Sequence, residues 1–348
     1  MHLGLKNRLR LISLLPIFIL LLLTSYFVYE SYTNFQSAQL LEDKLSENRH
    51  LNELVGNISR ERGMTVMYLG GLSQNTLKSL IQQRKIVDTK FKEYFEHTTN
   101  NVALHDHSNG KETCTTCSNI DSMASSMKKI EKIRLLVDKQ EAGFNEVYET
   151  VYGNVQHKAI VQLEQITSNQ TDQDITELSS IYITMVRAKE YTAAERDLIS
   201  YTIARSTKAE DDELNKWISF IGKADAINYD SLHNAALIAQ LNALFKSEDS
   251  IELLQDINSE RTAILSAANS GAYETSPGIW FTMLSEKTNL LSKAEELLLT
   301  SMDTRAQTVQ ENALQLLAVT LSVWFIAVIL AILGYLLSNE IATNIKNL

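Results

Sequence analysis

Residues 51–69 read LNELVGNISRERGMTVMYL. Apolar side chains fall at Leu51, Leu54, Val55, Ile58, Val66 and Leu69, the spacing of one helix face. Gly70-Gly71 reads as a helix stop, and Ser73 and Asn75 as a restart. The same period recurs through Met185, Ala188, Thr192, Ile199 and Ile203, and through Leu253, Leu254, Ile257, Ile264 and Leu265. No alternating apolar run of strand length stands out. Only 2 prolines and 12 glycines occur in 348 residues, too few turn formers for a sandwich or a doubly wound sheet. The expected fold class is therefore all-α: long antiparallel helical bundles, two of them stacked, between two membrane-spanning helices.

Charge divides the chain further. There are 32 Lys+Arg against 42 Asp+Glu, a formal net charge of −10. Leu11–Tyr29 and Leu314–Leu337 are uncharged, and each is long enough to cross a bilayer core of roughly 30 Å. The first is followed by bulky TSYFVYESY rather than a small-x-small cleavage site, so an uncleaved anchor is expected. Lys6, Arg8 and Arg10 put the N-terminus in the cytoplasm. The expected division is a cytoplasmic 1–10, spans at 11–29 and 313–337, a periplasmic domain over 30–312 and a cytoplasmic linker from 338 to 348. The protein would then sit as a two-pass chain in the inner membrane. The domain 30–312 carries 28 basic and 41 acidic residues, a net of −13. Nucleic acid is an unsuitable partner, and an anion needs a local positive cluster. Within that domain residues 98–122 read as a polar loop, with further breaks at Ser168–Asp174 and Gly271–Gly278. The last helix is expected to run from Ile279 through the second span.

Three arginines interrupt the apolar stripes. Arg62 lies four residues from both Ile58 and Val66; Arg196 lies three before Ile199; Arg261 lies four after Ile257. Each follows a glutamate, Glu61, Glu195 or Glu260, which points about 100° away on a helix and is poorly placed to neutralise it. An unpaired inward guanidinium is costly. Three of them suggest a shared cavity for a small anion, since the planar donor fork of Arg matches planar oxyanions. The competing expectation pairs each with an acid on a neighbouring helix. Arg60 is off the stripe and ranks second. Arg84 and Arg134 have Asp88 and Asp138 four residues on, and are expected to be structural ion pairs.

His105-Asp-His107 and Cys114-x-x-Cys117 offer ligand types for tetrahedral zinc, although a local disulfide stands ahead of a metal there. No phosphate-binding Gly loop, HExxH or GxSxG occurs, no cofactor is implied, and the chain is not expected to be an enzyme.

Ser59-Arg-Glu-Arg-Gly-Met-Thr-Val-Met-Tyr-Leu69 resembles the RERG-L-S-x-x-Y-L signature of the nitrate- and nitrite-sensing (NIT) domain, with Met64-Thr65 in place of Leu-Ser. Gln83-Arg84-x-x-x-Asp88, Ala194-Glu-Arg-Asp197 and Trp280-Phe281 resemble its later elements, in order, over about residues 50 to 305. The Cys114–Cys117 loop has no counterpart in that pattern. The resemblance implies two stacked helical bundles and nitrate or nitrite held by arginines, here Arg62, Arg196, Arg261 and Arg60. Leu337–Leu348 resembles the opening of a HAMP linker, so the cytoplasmic output module is expected to be missing from this chain. The expected function is a transmembrane receptor, a homodimer that signals to cytoplasmic proteins, foremost in chemotaxis. A histidine kinase or diguanylate cyclase sensor and a helical interaction protein with salt-bridged arginines are the alternatives.

Overall fold

The computed structural model describes residues 5–104, 115–167 and 172–344. Every regular element among them is helical: α1 (Leu5–Gly71), α2 (Gln74–Leu104), α3 (Thr115–Asp138), a π-helical stretch (Glu146–Gly153) running into α4 (Asn154–Thr167), α5 (Gln173–Arg205), α6 (Asp211–Asp225), α7 (Ala235–Phe245), α8 (Glu248–Ala267) and α9 (Pro277–Asn344). The fold is an all-α helical bundle, as the apolar period requires. The stops at Gly70-Gly71 and before Gln173 fall where expected, and α9 opens at Pro277, where a missing N–H costs nothing.

One expectation fails. The polar stretch 98–122 is helical up to Leu104 and again from Thr115. Buried Thr98 returns its hydroxyl to the Tyr94 carbonyl, and Ile120 and Met123 pack inward, so tertiary burial overrides a polar composition. His105, His107 and Cys114, the zinc or disulfide candidates, lie outside the described residues, as does the side chain of Cys117.

The chain divides into two compact units, residues 1–42 with 304–348, and Asp43–Asp303. In the first, the opening of α1 and the end of α9 pack antiparallel. Trp324 Nε1 donates to Ser25 Oγ at 2.9 Å, and ten residues further along α9 a Cβ on Gly334 would meet Ile17. Phe18, Phe27, Phe325 and Ile326 point outward and are exposed. Both helices are long and apolar enough to cross a membrane.

The second unit is organised around α5. An N-cap from Asp172 to the Ile175 amide starts it, and left-handed Ser206 ends it. Residues 192–200 are buried without exception, so this helix has no solvent face there. On one flank α1 carries α2, α3 and α4. Gln83 and Gln156 donate to the carbonyls of Asn57 and Val55, and Leu51, Leu54, Val55, Ile58 and Val66 are buried beneath them. On the other, α6 and α8 converge on Glu195, and Trp217 meets Trp280 of α9 edge-on. At Gly63 the α1 backbone touches α5. A Cβ there would lie 2.1 Å from Asp197 Oδ1 and 2.7 Å from the Phe281 ring, so only glycine permits this approach.

Candidate functional site

A cavity of about 410 Å³ lies in the Asp43–Asp303 unit between α1, α5 and α9. Four helices line it: residues 49–60 of α1, 186–196 of α5 and 285–299 of α9, with Ile160 of α4. Its charged lining comprises Arg49, Arg60, Lys189 and Arg196 against Glu53, Glu190, Glu295 and Glu296. Each of those acids is engaged: Glu53 with Lys90, Glu190 with Arg62, Glu295 with Lys189, and Glu296 with Arg49.

Arg196 is buried at one end. Its Nε reaches Asp197 Oδ1 at 2.9 Å, its Nη2 the Ser59 carbonyl at 3.0 Å and its Nη1 Ser285 Oγ at 3.3 Å, while the guanidinium stacks over Phe281 at 4.4 Å. The contact to Asp197 departs from the rule that adjacent helix residues face apart, since α5 is enclosed on all sides there. Arg60 lines the same cavity from α1, is exposed at its mouth, and makes no ion pair or hydrogen bond among the described residues. Desolvation and the like charge of Arg196 both hold its guanidinium below the usual value. Ser59 also lines the cavity, and its buried Oγ has no hydrogen-bond partner among the described residues.

Arg62 is placed otherwise. It is buried beside the cavity rather than lining it. Its Nε donates to Asp197 Oδ2 and its Nη1 to Glu190 Oε1, both at 2.6 Å, and Tyr148 lies under it at 5.4 Å. Asp197 is fully buried and thus serves two guanidiniums, one per oxygen. Burial pushes the Glu190 carboxyl up despite Arg62. Arg261 is also remote: its Nε and Nη2 grip Glu195 at 2.7 and 2.6 Å, and its Nη1 reaches Asp225 at 3.0 Å. The expectation that Arg62, Arg196 and Arg261 lack partners is therefore corrected. A buried guanidinium needs a counter-charge, and α5 provides it. Glutamates of the Glu-Arg pairs do point away from their own arginines, but Glu195 goes to Arg261 and Glu61 to Arg134.

Arg84 and Arg134 are ion-paired, though with exchanged partners. Arg84 binds Asp138 of α3, while Arg134 binds Asp88 of α2 and buried Glu61 of α1. Cross-helix geometry wins over the i,i+4 alternative. The π-helical stretch, which the apolar period did not foretell, carries Tyr152 to Glu61 at 2.5 Å and Tyr148 to the Ala194 carbonyl at 3.0 Å. Lys189 and Glu295 were missed as well. Lys189 lies seven residues before Arg196, the same face of α5, and that spacing was a usable signal.

A family model described as nitrate and nitrite sensing matches residues 53–303. The chain belongs to the NIT family. The matched stretch contains Arg60, Arg62, Arg196 and Arg261 and nearly all of the cavity lining. No curated protein matches the chain. Among solved structures, the NIT chain is similar to that titled "Structure of the NasR transcription antiterminator", with a TM-score of 0.66, 14% identity, and 87% of this chain and 83% of that one covered. At that identity the likeness concerns the fold alone.

Proposed function

We propose that this NIT chain is a two-pass membrane receptor, and that nitrate or nitrite binds in the α1–α5–α9 cavity between Arg60 and Arg196. One observation carries the reading: Arg60, in the family's first motif, faces a second guanidinium across a cavity and has no carboxylate of its own. A small oxyanion bound there would relieve the like-charge repulsion and accept a hydrogen bond from Ser59 Oγ. Arg62 then acts as a positioning residue, fixing Asp197 and through it Arg196.

Signal would travel through α9, which contributes Ser285 to the site and continues unbroken to Asn344. Binding that draws Ser285 and Arg196 together acts only through its differential affinity for two arrangements of α9, by sliding or rotation. The sensor would be periplasmic and homodimeric, with a HAMP-like linker after Leu337 leading to a chemotaxis output.

The test is thermal unfolding of the full chain in detergent with millimolar nitrate. Wild type should be stabilised as RT ln(1 + [L]/Kd). Arg60→Ala should lose that response while keeping the melting point of the ligand-free protein, since it strands no acid. Arg62→Ala should destabilise the protein by about 3–5 kcal/mol, because it leaves Asp197 and Glu190 short of a cation. An Arg60→Ala protein that still responds fully to nitrate would remove Arg60 from the site.

A further inference from the structure

The cavity is larger than the proposed oxyanion needs, and it has a second pole. Pockets of roughly 300–1,000 Å³ suit organic ligands, and about 410 Å³ falls in that range, where a single nitrate fills only one end. The second pole is Lys189, Asn52 and Glu295. Glu295 is 1% exposed, and its Oε2 accepts from Lys189 Nζ and, at 2.8 Å, from Asn52 Nδ2. Its other oxygen, Oε1, is buried and accepts nothing among the described residues. A buried carboxylate oxygen without a donor is costly, and Glu295 lines the cavity, so a small turn of its side chain lets a ligand supply that donor. Lys189 and Asn52 each lie seven residues from their counterparts Arg196 and Ser59, which separates the two poles by about 10 Å along α5 and α1.

We propose that the cavity also accepts a small organic carboxylate bearing a neutral hydrogen-bond donor at its far end, an amide or a hydroxyl. Its carboxylate lies between Arg60 and Arg196, and its tail donates to Glu295 Oε1. This rests on the anion site assigned above. A neutral tail is required because Lys189 already balances the charge of Glu295. A second carboxylate at that pole meets a like charge, and a methyl leaves the acceptor unpaired.

The probes are glutaramate, glutarate and pentanoate, which share one carboxylate and differ at the other end, with nitrate as reference. Titration calorimetry on the full chain in detergent should rank glutaramate tightest, with pentanoate about tenfold weaker for the loss of one hydrogen bond to a charged group, and glutarate weaker again. In Glu295→Gln, Lys189 and Asn52 hold the amide oxygen, so the new NH₂ faces the cavity. The preference should then invert in favour of glutarate, read as the ratio of glutarate to glutaramate affinity within the variant. Equal affinities for the three acids alongside normal nitrate binding would overturn the second pole alone. Failure of both nitrate and the acids to bind would overturn the underlying anion site. Should the variant not fold, the wild-type ranking decides.

Discussion

At the scale of single residues, burial decides which charges are structural. Asp197 is reached by Arg62 and Arg196 together and touched by the backbone at Gly63, so position 63 controls the whole cluster. Gly63→Ala is expected to push α1 off α5 and cost about 3 kcal/mol, the upper end for overpacking, with nitrate response reduced as Asp197 shifts. Chemical unfolding together with a nitrate titration checks both. Glu47 offers the opposite case. It is buried, its Oε1 is unpartnered among the described residues, and burial, only partly offset by Gln162 and Lys44, pushes it up to about 7. The folded protein therefore holds this proton more tightly than the unfolded chain, whose carboxyl titrates near 4.5. Its contribution is least unfavourable below that value and worsens as pH rises through 7, by about 3 kcal/mol in all. Glu47→Gln should raise the melting point at pH 8 and leave it nearly unchanged at pH 4, with wild type converging on the variant in acid.

At the scale of elements, α5 works as a charged spine. Glu195, fully buried, joins three helices by accepting from Arg261 of α8 and Trp217 Nε1 of α6. Glu195→Gln removes the charge that Arg261 needs, leaving it only Asp225. The expected cost is about 3–5 kcal/mol, with nitrate response retained because this junction lies on the α6–α8 side, away from the cavity lining. A melt with and without nitrate separates the two effects. The sequence made the helices legible because their apolar positions repeat, as at Leu51, Leu54, Val55 and Ile58. It did not make α2 beyond Thr98 legible, since no apolar period marks the residues that continue the helix there. Periodicity also misled over Arg62 and Arg261. It identifies an inward side chain, but the acid that meets it belongs to another helix.

For the whole molecule, the exposed apolar side chains of residues 15–29 and 314–337 set the environment the chain requires. If both segments span a bilayer, alkaline carbonate and high salt should leave the full chain in the membrane pellet, and only detergent should release it. Release by carbonate would rule out the two-pass reading. The sequence by itself determined the helical class, the two apolar segments and the ordered motifs of the family, since each depends on spacing along one chain. Only the tertiary structure decided which of these arginines meets an acid. Arg60 and Arg62 differ by two positions, yet one faces Arg196 across a cavity and the other meets Asp197 and Glu190. That difference is 128 and 135 residues distant in sequence, where Glu190 and Asp197 lie, and a local pattern carries no information about it. Charge pairing between helices is a property of their packing, and packing is what folding adds.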